Sequence, residues 1–177
     1  MEIRKVTVMG SGIMGNQIAM QTAISGYEVT CYDISREMIE KAEAFSKGWF
    51  EKRINKGKMA ADEAEKIQER LIFTTDLEKA AQDTDLVIEA VSDVVAVKKM
   101  ALGQIDKLTP EHTIYASNSS YIVSSRFADA VKDPSKVLNM HFFNPALVMK
   151  IVEVVKGPHV SEETFETAFE FVKSIGK

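Results

Sequence analysis

Two segments of this 177-residue chain carry residues able to do acid–base chemistry. His141 stands inside Met140-His141-Phe142-Phe143-Asn144-Pro145, and Glu153 lies twelve residues later within Ile151-Val152-Glu153-Val154-Val155. A carboxylate in so apolar a run is costly to bury without a partner. If the strand carrying Glu153 folds back beside the strand ending at His141, the carboxylate can hold one imidazole nitrogen. That contact selects the tautomer, supports imidazolium and leaves the other nitrogen to move a proton. A histidine between apolar neighbours is also compatible with a satisfied core residue, and the strand alternation equally allows Glu153 to face solvent. Near the other end, Gly10-Ser11-Gly12-Ile13-Met14-Gly15 follows an apolar run and opens a helical pattern near Met14. The glycines permit a tight turn, close approach of backbone N–H groups to a pyrophosphate, and close helix–strand packing, with the anion on the positive helix end. Asp33 falls 18 residues after Gly15, at the end of the second apolar run, where a carboxylate accepts from ribose hydroxyls. It repels a 2′-phosphate, so the pattern predicts NAD over NADP. Arg36 is the one nearby residue that softens this preference, and a surface turn is the competing reading of Asp33. Ser117-Asn118-Ser119-Ser120 adds hydroxyls and an amide able to orient a substrate oxygen or a ribose, or simply to form a polar turn and helix cap.

These residues need a frame that brings them to one edge. Ile3–Met9, Tyr27–Tyr32, Leu71–Thr74, Leu86–Ala90, Thr113–Ser117 and Lys136–Met140 read as strands, mostly separated by stretches of helical period. Such alternation predicts an α/β, mostly parallel, doubly wound sheet, whose ligand crevice lies outside the carboxyl ends of the strands. Residues 35–70 carry two helical lengths broken at Asn55-Lys56-Gly57-Lys58, a helical hairpin expected to project from the sheet. A further strand, Lys150–Val155, follows too soon for a crossover helix and is expected to run antiparallel. Ser161 then caps a final helix reaching about Ser174.

The composition suits one globular domain spanning residues 1–177: 45% of residues are hydrophobic and 27% charged. Twenty-two Lys and Arg against 26 Asp and Glu give a net charge of −4, which speaks against nucleic acid or an anionic membrane as the default partner. The single cysteine, Cys31, excludes an intramolecular disulfide and a cysteine-based zinc site and predicts a reducing compartment. Apolar runs are far shorter than the roughly 20 residues of a membrane span. The first strand begins within a few residues of Met1, which leaves no room for a leader and predicts a cytoplasmic chain.

Taken together, the blocks Gly10–Gly15, Val87-Ile88-Glu89-Ala90-Val91, Ala116–Ser120 and Met140–Pro145 with Val148–Val155 resemble, over the whole chain, the NAD-binding Rossmann domain of the 3-hydroxyacyl-CoA dehydrogenases, 3-hydroxybutyryl-CoA type. The resemblance implies NAD-dependent, reversible oxidation of (S)-3-hydroxyacyl-CoA to 3-ketoacyl-CoA. His141 corresponds to the family's catalytic base, Glu153 to its partner, and Ser120 to its substrate-binding serine. Gly10, Gly12, Ile13, Met14, Gly15, Asp33, Glu89, Ala90 and Asn118 correspond to cofactor-binding positions. Asp93 stands where the family usually has a Glu near the nicotinamide ribose, with Lys98 five residues on. Lys52 and Lys56 match hairpin lysines that meet CoA phosphates, although a solvated basic face fits them as well, and Asn144 joins the substrate positions. The sequence departs from the family at Ser119, usually Thr, and at Tyr121, usually a second Ser; both changes flank Ser120 and bear on chain-length preference. The family's C-terminal helical dimerisation domain is absent from this chain, so the isolated domain is expected to bind NAD and to turn over slowly or not at all. A different NAD-linked enzyme sharing the glycine loop, such as a sugar-acid dehydrogenase related to the lambda-crystallins, is the remaining alternative, and the lysine pair favours CoA over a free acid.

Overall fold

The structure is a computed structural model and describes residues 2–177. Its frame is a seven-stranded sheet: β1 (Lys5–Met9), β2 (Glu28–Tyr32), β3 (Leu71–Thr74), β4 (Leu86–Glu89), β5 (Ile114–Ser117), β6 (Val137–Phe142) and β7 (Val152–Val155), in spatial order 3-2-1-4-5-6-7. The first six strands are parallel and β7 is antiparallel to β6. β4 and β5 are buried at every residue, as parallel strands covered on both faces must be. Six helices flank the sheet: α1 (Ile13–Ile24), α2 (Arg36–Asn55), α3 (Ala61–Glu69), α4 (Leu77–Ala81), α5 (Val95–Ile105) and α6 (Glu162–Ser174). Ser35, Asp76 and Ser161 cap α2, α4 and α6 by accepting from the backbone N–H groups of Met38, Lys79 and Thr164.

Side-chain alternation along the strands sorts the core into two layers. Val6, Val8, Ile88, Ala116, Leu138 and Met140 pack beneath α1, the hairpin and α6, which we call the α1 face. Met9, Val87, Tyr115 and Val137 pack beneath α5 and the segment after β5, the α5 face. That segment forms three short 3-10 turns between Ser124 and Lys136 in place of an α-helix.

The hairpin differs from its expected position. It lies against the α1 face, with Phe50, Ala64 and Ile67 buried in the main core. Their apolar area is large enough to draw both helices down onto the sheet, leaving only the turn and the outer surface exposed. β6 runs two residues beyond the expected end and so includes His141, while β7 begins at Val152.

Candidate functional site

Register brings the carboxyl ends of the parallel strands to one edge. Tyr32 pairs with Met9, Met9 with Glu89, Glu89 with Ser117, and Ser117 with Asn139; β6 then carries the chain two residues farther to His141.

At the β1 end, Gly10 turns the chain with φ +94°, a conformation that favours glycine, and donates its N–H to the Tyr32 carbonyl at 2.7 Å. A Cβ on Gly10 would stand 2.7 Å from the Ala90 carbonyl oxygen, and one on Gly15 only 1.8 Å from that of Gly10. Both positions therefore hold strand, loop and helix closer together than any side chain allows. Gly12 is different, because a Cβ there would meet nothing within 4 Å. The open space lies over the N-terminus of α1, which no side chain caps and whose first turn holds no acid. A backbone that is accessible, positive and free of side chains fits a pyrophosphate.

Asp33 anchors this loop. Its Oδ2 accepts from the Ser11 N–H at 2.8 Å and the Ser11 hydroxyl at 3.1 Å, and its Oδ1 accepts from the Ser35 N–H at 2.9 Å. Sequence reasoning misses Ser11 as a partner of Asp33, since residues 22 apart in the chain meet only because β1 and β2 are neighbours. A cavity of about 310 Å³ opens beside the carboxylate, walled by Gly10, Ala90, Val91, Val97, Met100 and Ala101. An apolar slot with one carboxylate at its mouth suits an adenosine. Arg36 pairs with Glu40 at 3.0 Å on the exposed side of α2.

Glu89 and Lys98 are not free to touch a ligand with their side chains. They are 0% and 1% exposed and form an ion pair beneath the crevice, Lys98 Nζ lying 2.9 and 3.0 Å from the two carboxylate oxygens. The Ser117 hydroxyl donates to Glu89 at 2.6 Å and the Val91 N–H at 2.8 Å. Lys98 also reaches Asp93 at 3.1 Å. Burial pushes the Asp93 carboxyl up, but Ser119, Lys98 and the nearby His141 outweigh it and hold the group below its ordinary range. Of the three expected cofactor groups, only Asp93 reaches the surface; Glu89 and Lys98 support it from below.

On the same edge, antiparallel pairing sets His141 directly opposite Glu153, and His141 Nδ1 lies 2.9 Å from Glu153 Oε2. The premise that Glu153 is buried does not hold: its side chain is 55% exposed and that of His141 19%. Alternation turns Glu153 outward, and cross-strand register rather than desolvation joins it to the imidazole. The ring of Phe143 stands 4.7 Å from that of His141. Asn118 Oδ1 accepts from the Phe142 N–H at 2.9 Å, tying the end of β6 to the loop after β5. Sequence reasoning also misses Asn139, on the same strand face as His141; it accepts from the Ser124 N–H at 2.7 Å and donates to the Ile122 carbonyl at 2.9 Å. The signal that marks it is a second polar residue in phase with His141 along an apolar strand. Ser120 and Asn144 are exposed beside this loop, and Lys52 and Lys56 are exposed at the far end of α2 with no carboxylate in ion-pair reach among the described residues.

A larger cavity, about 620 Å³, lies elsewhere, over β1–β3. Its rim carries Lys66, Arg70 and Lys79 but also Glu28, Glu69 and Asp83, and no proton-transfer pair converges there. Among the described residues no helix is long and apolar enough to cross a membrane.

Known proteins similar to this chain match it over nearly its whole length. The chain is 40% identical over 174 residues to 3-hydroxybutyryl-CoA dehydrogenase of Clostridioides difficile, covering 98% of this chain and 61% of that protein. It is 37% identical over 180 residues to the mitochondrial hydroxyacyl-coenzyme A dehydrogenase of Rattus norvegicus, covering 99% of this chain and 57% of the relative. The crystal structure of 3-hydroxybutyryl-CoA dehydrogenase from Escherichia coli K12 superposes with a TM-score of 0.95 at 39% identity, over the whole of this chain and 37% of that one. The chain thus spans less than two thirds of the length of these relatives. Residues 5–177 match the family described as 3-hydroxyacyl-CoA dehydrogenase, NAD binding domain, and the chain belongs to that family.

Proposed function

We propose that this chain is the catalytic half of an NAD-dependent 3-hydroxyacyl-CoA dehydrogenase, acting on an acyl-CoA in the reducing interior of the cell. The observation that carries the reading is the His141–Glu153 pair, held across β6 and β7 at the edge that also carries the glycine loop. With Nδ1–H donated to Glu153, Nε2 is left as the proton acceptor. His141 takes the proton of the C3 hydroxyl at Nε2, Glu153 supports the imidazolium that forms, and the exposed Ser120 hydroxyl aligns the substrate oxygen. NAD, when bound, supplies the acceptor for the C3 hydride. Gly10, Gly12 and the first turn of α1 hold its pyrophosphate, Asp33 its adenosine ribose, and Asp93 its nicotinamide ribose. The exposed Glu153 leaves the pair walled on one side only, so this chain by itself is expected to bind NADH well and to turn over slowly.

The test is a double-mutant cycle on steady-state reduction of acetoacetyl-CoA by NADH in the full natural polypeptide. His141→Gln should lower turnover by roughly 10²–10⁴-fold with NADH still bound. Glu153→Gln should lower it by about 10–100-fold, since its amide accepts from the imidazole but cannot neutralise imidazolium. The double variant should be no worse than His141→Gln, because both losses pass through one ring. Near-normal turnover in His141→Gln, or a double loss equal to the product of the two, would remove the pair from catalysis.

A further inference from the structure

A cavity of about 230 Å³ lies between α1 and α2, walled by Ile13, Asn16, Gln17, Met38, Ala42 and Phe45. It shares only Gly12 and Met38 with the adenosine slot. Ile13 and Phe45 are exposed apolar walls, but Asn16 is 4% exposed and holds a polar atom with nothing to bond. Its Nδ2 donates to the Ala42 carbonyl at 3.2 Å, which fixes the amide orientation and leaves Oδ1 over. Among the described residues only Arg53 Nε is likewise a buried side-chain polar atom without a partner. An unpaired buried acceptor is costly, so the cavity calls for a donor. Lys41, its one charged residue, is engaged by Glu37 at 2.6 Å. A carboxylate or phosphate would face the Asn16 oxygen, and an ammonium would find no counter-charge. A neutral, largely apolar chain carrying an N–H group fits both walls and acceptor. The cavity also stands between the two ends of the site. Gln17 Oε1 accepts from the Leu147 N–H at 3.4 Å, joining it to the loop that follows β6 and His141. Along α2, Lys52 and Lys56 stand seven and eleven residues past Phe45, on the same helix face.

We propose that this cleft receives the amide-bearing arm of the thioester, with Asn16 Oδ1 accepting from one of its amide N–H groups. The inference rests on the functional reading above, which supplies a CoA thioester; its arm is a saturated chain interrupted by two secondary amides. The experiment measures kcat/KM in the full natural polypeptide for acetoacetyl-CoA and for two analogues, each with one arm amide N–H replaced by an ester oxygen. Asn16→Ala should lower kcat/KM for acetoacetyl-CoA about fivefold, the scale of one neutral hydrogen bond. One of the two esters should lose about as much in the wild type and nothing further in Asn16→Ala, because both changes delete the same bond. Phe45→Ala alters only a half-exposed wall, so it is the check if Asn16→Ala does not fold; it should lower kcat/KM for acetoacetyl-CoA about threefold. An Asn16→Ala loss equal for all three thioesters, no loss at all, or an unaltered Phe45→Ala overturns this inference and leaves the functional reading standing. A wild type that reduces none of the three overturns both.

Discussion

Replacing Lys98 with Met should be among the most damaging single changes to this fold. Lys98 and Glu89 are buried together, and Lys98 Nζ contacts both Glu89 oxygens at 2.9 and 3.0 Å. Methionine matches the lysine stem in shape, so the loss is almost purely one of charge. It leaves the Glu89 carboxylate out of water with two neutral donors, the Ser117 hydroxyl and the Val91 N–H. Breaking a buried pair by removing one partner costs about 3–5 kcal/mol, because an uncompensated charge remains. A domain of this size has roughly 5–15 kcal/mol in total, so a large share disappears. At roughly 2–4 °C per kcal/mol for chains of this length, the midpoint of thermal unfolding should fall by roughly 6–20 °C. Removing both charges together, in Lys98→Met with Glu89→Gln, should cost less than Lys98→Met alone. Urea unfolding followed by circular dichroism measures both variants. A loss below about 1 kcal/mol for Lys98→Met would refute the reasoning, as would a double variant whose loss is the sum of the two single ones.

Asp33→Ala should weaken NADH binding about tenfold and narrow the gap to NADPH, since a charged acceptor for two hydroxyls is lost along with the anchor of Ser11; equal binding of both cofactors before and after the change, in a fluorescence titration, would remove Asp33 from the site. Lys52→Glu with Lys56→Glu should raise KM for acetoacetyl-CoA several-fold at low salt, an effect that fades as ionic strength rises, while NADH affinity stays the same; an unaltered KM assigns the pair to a solvated face. Asp85 accepts from the N–H groups of Arg4 and Lys5 and from His112. Burial alone would raise its carboxyl, but these donors together hold it below the usual 3.8. Its contribution is therefore fully present above pH 3.8 and is lost as pH falls through the lowered value. The stability gap between wild type and Asp85→Asn, about 1–2 kcal/mol at neutral pH, should close in acid; a gap that widens on acidification would contradict this.

Features of this chain governed by local sequence are legible in the residue order alone. The glycine spacing at 10–15, the Ser161 cap, the Asn55–Lys58 break and the short gap before β7 each depend on backbone sterics or chain reach within a few residues. Tertiary packing decides the rest. Glu89 and Lys98 look in the sequence like two polar residues near a cofactor, yet burial beneath the crevice makes them a support for Asp93. The hairpin settles on the sheet because Phe50, Ala64 and Ile67 gain more by burial than the helices gain by standing free.

What the sequence by itself determined was the order of the elements and which residue types are available for chemistry: a glycine loop opening a helix, a carboxylate at the end of the second strand, and an imidazole with a carboxylate twelve residues away. Which atoms meet was left to the sheet. A one-residue slip between β6 and β7 would turn Glu153 to the other face and dissolve the pair. Local pattern cannot specify that register, because it depends on how both strands pack against α6 and on the side chains beneath them. The same holds for the edge as a whole, where five strand ends distant in sequence converge because hydrophobic burial fixes the sheet order, and polar groups at their tips are carried into contact with it.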